Sequence, residues 1–375
     1  MTAGSVTSTA VRSRGRATDY RVLVGRGVLR SLPDLLREHA PAHRYALISD
    51  STVAELHGEA VLDGLRGSGL AAELFRFPAG ERHKTRAQWT SLTDGLLASG
   101  FGRDTCVVAL GGGVVGDLAG FVAATYMRGV PVVQVPTSLV AMIDASVGGK
   151  TGVDVEHGKN LVGAFHAPKL VVADPEVTRT LPRSERAQGL VEAVKHGVIM
   201  DRPYLDELER DMPALLDGDV GSVERAVARS VELKAEVVSG DERESGRREI
   251  LNFGHTLGHA IEGASAYRMP HGTAVAVGMW LEARLGERLG VTEPGAAERL
   301  GRIAEALEVN LELPDGAAPS EIMDYLGVDK KARLGRPRFV LLSRVGSVHR
   351  SGDSWSQPVD EDVVLGLLNS MNTKG

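Results

Sequence analysis

The stretch CVVALGGGVVGD, residues 106–117, joins a short apolar run to a glycine-rich turn. A run of five apolar residues that ends in glycine, just before a helical pattern, is typical of a buried parallel strand. The same arrangement recurs where residues 45–48 end in Ser49-Asp50 and where residues 132–135 end in Pro136-Thr137. Strands that alternate with helices in this way predict a parallel α/β fold.

From about residue 181 the pattern changes to long amphipathic segments, which predict helices. We therefore expect an α/β N-terminal domain (19–180) with a parallel-sheet nucleotide-binding core, followed by an all-α C-terminal domain (181–375). The first eighteen residues are rich in Ser, Thr and Arg and contain no acid. This composition predicts a disordered tail (1–18).

Charge and composition exclude several classes of protein. The formal net charge of −6 over 375 residues argues against a nucleic-acid-binding protein, because such proteins carry a basic surface. No apolar stretch approaches the roughly 20 residues that span a bilayer, so we expect no membrane segment. The single cysteine, Cys106, cannot form an internal disulfide, and its apolar run predicts a buried thiol. These features fit a reducing compartment, and we expect a cytoplasmic protein.

The glycine-rich turn matches the pattern G-x-G-x-x-G at Gly111, Gly113 and Gly116. After a strand and before a helix, such glycines let the backbone approach the pyrophosphate of a dinucleotide. The alternative is a tight turn without a ligand. The acid expected about twenty residues later, to bind the ribose, is absent. Asp50, after an earlier strand, is one replacement, and Glu81 with Lys84 forms another candidate nucleotide contact.

Two histidines, His255 and His259, lie four residues apart and thus on one face of a helix. His271 opens the next helical segment, and Glu192 lies three residues before Lys195. Imidazole and carboxylate groups suit zinc or a similar divalent ion, and three protein ligands are typical of a catalytic site. The spacing leaves open whether His255 or His259 binds the metal.

Several cations lie beside glycines or acids, where they suit a phosphate or carboxylate ligand. They are Lys150, Lys195, Lys234, Arg248 and Lys330 or Lys331. Gly148-Gly149-Lys150-Thr151 lacks the earlier glycine of a P-loop, because position 144 is Asp144, so an ATPase is disfavoured. Taken singly, each of these cations is more often a surface residue.

The chain resembles the 3-dehydroquinate synthases, within the sugar phosphate cyclases, from about Tyr20 to Val348. Its most specific motifs are GGGVVGDLAGFVAATYMRG (111–129), VPTSLVAMIDASVGGKTGVD (135–154), GKNLVGAFHAPK (158–169), GLVEAVKHG (189–197) and GRREILNFGHTLGHAIE (246–262). The resemblance implies NAD and Zn²⁺ as cofactors, with Co²⁺ as an alternative metal, and a small phosphorylated sugar acid as substrate.

The resemblance also implies a role for each matching residue. The metal ligands would be Glu192, His255 and His271. NAD would contact Asp50, Glu81, Lys84, Gly112, Gly113, Val114, Asp117, Thr137, Ser138, Lys150 and Lys159. The substrate would contact Asp144, Lys150, Asn160, Lys195, Lys234, Arg248, Asn252, His259 and Lys330. Arg128 matches an arginine that reaches the active site of a neighbouring subunit, which implies a homodimer.

The implied reaction converts 3-deoxy-D-arabino-heptulosonate 7-phosphate to 3-dehydroquinate and phosphate. It proceeds by transient oxidation, phosphate elimination, reduction and aldol closure. At Asn252 and His259 the chain carries the residues that the resemblance associates with 3-dehydroquinate synthases. The cyclases that accept sedoheptulose 7-phosphate or glucose 6-phosphate differ at these positions, so the resemblance disfavours both substrates. Thr273 departs from the acidic residue or alanine that relatives commonly carry. An amino-dehydroquinate synthase stays open, and a metal-dependent polyol dehydrogenase or an inactive binding protein is a more distant alternative.

Overall fold

The computed structural model describes residues 6–12, 19–241, 246–314, 316–332 and 337–371 of the chain. By their contacts, the described residues within 1–185 and 218–242 form one compact unit, and those within 186–217 and 243–375 form a second. None of the described helices is both long enough and apolar enough to cross a membrane.

A seven-stranded sheet organises the first unit. In spatial order its strands are β1 (Thr7–Val11), β2 (Tyr20–Val24), β9 (Leu170–Ala173), β6 (Val132–Pro136), β5 (Thr105–Gly111), β3 (Arg44–Asp50) and β4 (Ala72–Phe77). Only β1 runs antiparallel to its neighbour, and the other strands pair in parallel. The predicted α/β fold with a parallel sheet is confirmed.

Both faces of the sheet are covered, so its central strands are mostly apolar. On one face, Leu47 and Val108 join a core with helix residues such as Leu36. On the other face, the alternate strand residues Ile48 and Val107 join a second core. The helices of this unit are α1 (Leu32–His39), α2 (Ser51–Val53), α3 (Glu59–Gly67), α4 (Arg86–Ala98), α5 (Gly113–Thr125) and α8 (Val220–Gly240). A hairpin of β7 (Lys150–Val155) and β8 (Gly158–Phe165) completes it.

The predicted disordered tail contains a strand, so that prediction is wrong for the residues of β1. Thr7 to Val11 pair with Val24 to Tyr20, and Val11 is buried. The Ser, Thr and Arg content suggested disorder, but Thr and Val are β-branched and suit an edge strand. Residues 1–5 and 13–18 of the predicted tail lie outside the described residues.

The second unit is mainly helical. Its helices are α6 (Arg183–Met200), of which residues 183–185 belong to the first unit, α7 (Arg202–Asp217), α9 (His255–Ala264), α10 (His271–Arg288), α11 (Ala296–Ala306), α12 (Pro319–Ala332) and α13 (Glu361–Asn369). It also contains short strands, β10 (Arg338–Phe339) with β13 (Gln357–Pro358) and β11 (Leu342–Arg344) with β12 (Ser347–Val348). The predicted all-α domain therefore carries two small two-stranded sheets.

Helix α8 differs from the predicted division of the chain at residue 181, because it belongs to the first unit. Its apolar face, which includes the buried Val223, Val227 and Val231, packs beside β1 and β2. An amphipathic pattern predicts a helix but does not say which unit covers its apolar face.

Candidate active site

The glycine turn after β5 forms the start of α5, as the sequence predicts. Gly112 is the N-cap residue, and no side chain caps the helix there. A Cβ on Gly111 would lie 2.3 Å from Val115 Cγ2, so packing within the protein requires this glycine. A Cβ on Gly113 would meet nothing closer than Ala145 Cβ, at 3.5 Å. Packing does not require Gly113, and its lack of a side chain leaves room beside the helix N-terminus for a phosphate.

Lys84 is the centre of a polar cluster in the first unit. Its side chain is 4% exposed, and Nζ lies 2.8 Å from Glu81 Oε1 and 3.2 Å from Asp117 Oδ2. Nζ also donates to Asn160 Oδ1 at 2.8 Å and lies 3.5 Å from Asp154 Oδ1. Burial acts to lower the pKa of Lys84, but Asp117 and Glu81 raise it above its usual value. Burial raises the pKa of Asp117 to about 6, although Lys84 opposes this.

Four of these five residues were predicted from the sequence, but with different ligands. Glu81, Lys84 and Asp117 were expected to bind NAD, whereas Asn160 was expected to bind substrate. The structure brings them together, and Lys159 Nζ lies 3.9 Å from Glu81 Oε1. Asp154 was missed, although it ends the motif that precedes the hairpin turn. Its carboxylate accepts a hydrogen bond from the backbone N–H of Asn160, which has a left-handed φ of 57°.

Three further residues of the predicted nucleotide site lie at the carboxyl ends of parallel strands. Asp50 is the last residue of β3, and its Oδ1 accepts hydrogen bonds from Thr52 N and Val53 N, so it caps α2. Thr137 follows β6 and donates its backbone N–H to Gly111 O at 2.9 Å. Ser138 Oγ would lie 3.3 Å from a Cβ on Gly112. The predicted residues on the glycine turn and after β6 are therefore close together.

Asp144 and Lys234, both predicted to contact substrate, form a partly buried ion pair. Lys234 Nζ lies 2.7 Å from Asp144 Oδ1 and also donates to Asp144 O at 2.5 Å. Asp144 belongs to the short π-helical segment Ala141–Ala145, and Lys234 projects from α8. Lys150, at the first position of β7, is exposed.

Arg128 lies in a strained turn after α5. Met127, Arg128 and Gly129 all have positive φ, at 49°, 71° and 114°. Residues other than glycine rarely adopt this conformation. The Arg128 side chain is exposed at this turn.

In the second unit, Glu192, His255 and His271 lie in one group although they come from three helices. One ligand atom from each lies within 4.8 Å of the others. Glu192 is 1% exposed, and its Oε1 is 3.6 Å from His255 Nε2 and 3.7 Å from His271 Nε2. Among the described residues, Glu192 Oε1 has no hydrogen-bond donor. A buried carboxylate oxygen without a donor, beside two imidazole nitrogens, fits a divalent metal ion.

The pKa values of Glu192, His255 and His271 also favour a bound cation. Burial and the positive charge of Lys195 hold the pKa of His255 well below its usual value, so its ring is neutral. Nδ1 lies 3.3 Å from Phe253 O, and a proton on Nδ1 leaves the lone pair on Nε2. Burial opposes ionisation of Glu192, but Lys195 at 2.5 Å and the two imidazoles hold its pKa well below the ordinary range. Burial acts to lower the pKa of His271, but the nearby carboxylates of Glu192 and Glu262 raise it to about 9. The two carboxylates thus favour positive charge at His271.

Glu262 contacts the same histidine and was missed in the sequence, although it lies three residues after His259 on the same helix. It is 3% exposed, and Oε2 lies 3.4 Å from His271 Nδ1. His271 therefore has a carboxylate at each ring nitrogen. His259, Glu262 and His271 form a second set of potential metal ligands that shares His271 with the first.

The remaining predicted residues surround α9. Arg248 is 3% exposed and lies with Asn252 on the 3₁₀ helix Arg247–Asn252, which precedes α9. The ring of His259 lies 5.1 Å from that of His255 and 5.9 Å from that of His271. Lys330 falls within α12, but its side chain, like that of Lys331, lies outside the described residues.

Two other side chains, which the sequence did not single out, connect the helices that carry Glu192, His255 and His271. Gln188, one turn before Glu192, accepts a hydrogen bond from Thr273 N at 2.8 Å and donates to Thr273 Oγ1 at 3.0 Å. Glu282, on α10, accepts hydrogen bonds from Gly254 N and Leu257 N in the first turn of α9. Neither residue belongs to a motif, so no local signal marks it.

Comparison with known proteins gives a consistent result. The family model for the N-terminal part of 3-dehydroquinate synthase matches residues 74–188, and that for the C-terminal part matches residues 189–332. The 3-dehydroquinate synthase of Symbiobacterium thermophilum is 48% identical over 88% of this chain and 92% of its own length. That of Xanthomonas axonopodis pv. citri is 44% identical over 94% of this chain and 96% of its own length.

Solved structures of sugar phosphate cyclases share the fold. A 2-deoxy-scyllo-inosose synthase, solved with carbaglucose-6-phosphate, NAD⁺ and Co²⁺, superimposes with a TM-score of 0.89 at 27% identity, over 97% of this chain and 100% of its own. A 2-epi-5-epi-valiolone synthase from Streptomyces hygroscopicus, solved with NAD⁺ and Zn²⁺, gives 0.86 at 27% identity over 97% and 99%. With both family models matched and curated relatives identical at nearly half of their positions, the chain belongs to the 3-dehydroquinate synthase family.

Proposed function

We propose that this protein converts 3-deoxy-D-arabino-heptulosonate 7-phosphate to 3-dehydroquinate and phosphate. The observation that carries the proposal is the Glu192–His255–His271 group with Lys195 beside it, in a chain of this family. When bound, NAD⁺ would supply transient hydride transfer and a divalent metal would supply Lewis-acid polarisation of a substrate oxygen. Because the hydride would be returned to the substrate in each turnover, no net NADH is expected.

Glu192, His255 and His271 would hold the metal. His255 offers a neutral imidazole and Glu192 an ionised carboxylate, as metal ligation requires. Three protein ligands leave coordination positions open for a substrate oxygen. Zinc is the ion that this ligand set fits, and cobalt binds similar ligands.

The glycine turn would hold the pyrophosphate of NAD. Gly112, Gly113 and Val114 present backbone N–H groups at the N-terminus of α5, where the helix dipole favours an anion. Asp50, Thr137 and Ser138 lie at the same edge of the sheet or on the adjoining turn. Glu81 and Asp117 carry carboxylates that accept hydrogen bonds from sugar hydroxyls, while Lys84, Lys150 and Lys159 supply positive charge.

The cations and amides of the predicted substrate set would neutralise the carboxylate and phosphate of the substrate and orient its chain for aldol closure. That set is Asp144, Lys150, Asn160, Lys195, Lys234, Arg248, Asn252, His259 and Lys330. The Asp144–Lys234 pair illustrates the principle, because the carboxylate holds the ammonium group in one direction before any ligand binds. A preorganised cation stabilises developing negative charge without reorganising during the reaction.

We further propose that the protein acts in the cytoplasm as a homodimer in which Arg128 reaches the partner's active site. The exposed side chain and strained backbone of Arg128 support this role, since strain of this kind is often associated with function. Arg128→Ala and Lys234→Ala should each be inactive alone. Random mixing should restore about a quarter of wild-type activity, because half of the dimers are mixed and each contains one intact site. Failure to restore activity would place Arg128 in its own subunit's site, whereas full activity of Arg128→Ala alone would place it outside any site.

The decisive assay is phosphate release from 3-deoxy-D-arabino-heptulosonate 7-phosphate by protein supplied with zinc and NAD⁺. The 4-amino-4-deoxy analogue is tested in parallel. We expect fast release from the oxygen substrate, no net NADH, and a product that a dehydroquinase consumes. A preference for the amino compound would instead assign the amino-dehydroquinate reaction, and inactivity on both would reject the proposal.

One variant tests the Glu192–His255–His271 group, and a second variant is its control. Glu192→Gln removes the anionic ligand with little change in shape, and we expect kcat to fall at least about 100-fold. His39→Ala, on α1 in the first unit, should leave kcat unchanged. Full activity of Glu192→Gln with zinc bound would remove this group from the mechanism.

A further inference from the structure

Glu282 is a fully buried carboxylate whose hydrogen bonds all lead to the start of another helix. It lies on α10 with 0% exposure. Its Oε2 accepts from Gly254 N at 2.7 Å, and its Oε1 accepts from Leu257 N at 3.1 Å. Within the described part of the chain, no cation forms an ion pair with Glu282. The hydrogen bonds of Glu282 are therefore made with the N-terminus of α9.

The N-terminus of α9 depends on this carboxylate because it lacks a cap of its own. The first N–H groups of a helix have no partner within the helix, and a Ser, Thr, Asp or Asn side chain usually accepts from them. Here the N-cap is Gly254, with φ of 80°, and no side chain of the helix caps it. Glu282 supplies the acceptors from α10.

The two helices approach so closely that the position of α9 is sensitive to this contact. A Cβ on Gly254 would lie 2.3 Å from Met279 Cγ, and a Cβ on Gly278 would lie 2.0 Å from Gly254 O. A Cβ on Gly258 would lie 3.0 Å from Ala274 O. Glycines permit this approach but provide no side chains to interlock, so α9 could slide along α10. The directional hydrogen bonds of Glu282 oppose such a displacement.

The residue that this contact positions is His255. It is the first residue of α9 and lies between the two N–H donors, Gly254 and Leu257. His271 is the first residue of α10, the helix that carries Glu282. We propose that Glu282 is a positioning residue, which holds the start of α9 on α10 and thereby sets the distance from His255 to His271. The inference rests on the proposed function, in which both histidines bind the metal.

A structural role and a positioning role predict different results. A cap that only stabilises the fold changes the unfolding of the metal-free protein and leaves metal binding unaltered. A residue that fixes the separation of two ligands changes the affinity for the metal and the symmetry of its coordination. Residues that orient metal ligands typically affect metal affinity by roughly 10- to 100-fold.

The test variant is Glu282→Gln, which keeps the size of the side chain. Its amide retains one oxygen acceptor but turns an N–H group towards the second backbone donor. Metal-free protein is titrated with Zn²⁺ against a chromophoric chelator, and the visible spectrum is recorded with Co²⁺. We expect zinc affinity to fall roughly 10- to 100-fold and the cobalt bands to shift.

Glu287→Gln is the matched control. Glu287 also lies on α10 and accepts a backbone N–H at the start of another helix, from Ala297 of α11, at 3.0 Å. That helix also has a glycine N-cap without a side-chain cap, but it carries none of the proposed site residues. We expect Glu287→Gln to leave zinc affinity and the cobalt spectrum unchanged.

Wild-type zinc affinity and an unchanged cobalt spectrum in Glu282→Gln would overturn the inference and leave the proposed function intact. If Glu282→Gln does not fold, Glu282→Asp replaces it. Its carboxylate is retained but lies one methylene further away, and an unaltered cobalt spectrum would again overturn the inference. A different result would overturn the proposed function, namely absence of phosphate release by the wild-type protein.

Discussion

The ring of His271 lies between the carboxylates of Glu192 and Glu262. We infer that Glu262 orients His271 within the Glu192–His255–His271 group. A histidine that binds a metal through one ring nitrogen is usually oriented by an acceptor at the other. Glu262 Oε2, at 3.4 Å from His271 Nδ1, is such an acceptor and leaves Nε2 facing Glu192. Because Glu262 is buried, it also contributes negative charge where water screens little.

We expect Glu262→Gln to lower zinc affinity about tenfold or more, since the amide lacks the charge that favours a cation at His271. Chelator competition with metal-free protein measures this directly. Glu298→Gln, an exposed position on α11, should behave as wild type. An unchanged affinity in Glu262→Gln would show that the carboxylate does not support His271.

The structure gives Thr273 a specific partner. Its backbone N–H and hydroxyl form two hydrogen bonds with the Gln188 side chain, which joins the start of α10 to α6. A Cβ on Gly272 would lie 2.5 Å from Gln188 O, so the two helices are in close contact here. The proposed ligands Glu192 and His271 each lie within about one turn of this pair.

Thr273→Val should weaken zinc binding about fivefold, equivalent to roughly 1 kcal/mol for one lost hydrogen bond. Thr273→Ser keeps the hydroxyl and should retain wild-type affinity. Both variants are titrated as metal-free protein. Equal affinities for the two variants would mean that the Gln188–Thr273 pair does not influence the ligands.

At the scale of the secondary-structure element, the start of α5 contains glycines that serve different purposes. Gly111 is required by Val115, whereas Gly113 has no close protein neighbour. Gly111→Ala should therefore destabilise the protein. Gly113→Ala should preserve its melting temperature but lower NAD⁺ affinity about tenfold, or 1.4 kcal/mol, because the methyl group occupies space beside the phosphate. Calorimetric titration with NAD⁺ is the measurement, and unchanged affinity in Gly113→Ala would contradict a phosphate at this turn.

The contact between α9 and α10 should make stability depend on pH. Burial raises the pKa of Glu282 to about 8, although the backbone N–H donors of Gly254 and Leu257 oppose this. The folded protein thus binds this proton more tightly than the unfolded chain does. The stabilising contribution is complete below a pH of about 4.5 and is lost as the pH rises through about 8.

We therefore expect the free energy of unfolding of metal-free wild type to fall relative to that of Glu282→Gln between pH 6 and pH 9. Urea unfolding of both proteins at each pH gives the difference. Because both proteins contain the other titratable groups, the contributions of those groups cancel in the difference between the two free energies of unfolding. A difference that stays constant, or that rises with pH, would contradict a raised pKa for Glu282.

For the whole molecule, the sequence was most informative where one local pattern carried the signal. The strand-and-glycine pattern around residues 106–117 predicted the parallel sheet, and the motifs identified the family. Composition was misleading for β1, because strand pairing with β2 outweighed the polar content. Gln188 and Thr273 are 85 residues apart, and Glu282 contacts residues 25 and 28 positions away. Contacts of this kind arise only from tertiary packing, which one sequence does not encode in any local pattern.

The lone thiol has a practical consequence. Cys106 lies at the middle of the sheet with 0% exposure, and burial raises its pKa to about 12. Alkylating reagents attack the thiolate, so at pH 8 they should modify this side chain only when β5 is exposed by unfolding. The rate of alkylation then reports the opening of the first unit without any engineered label. Trp280 and Trp355 belong to the second unit, whereas Trp89 belongs to the first, so tryptophan fluorescence reports both units. Alkylation of Cys106 is therefore the signal that is specific to the first unit.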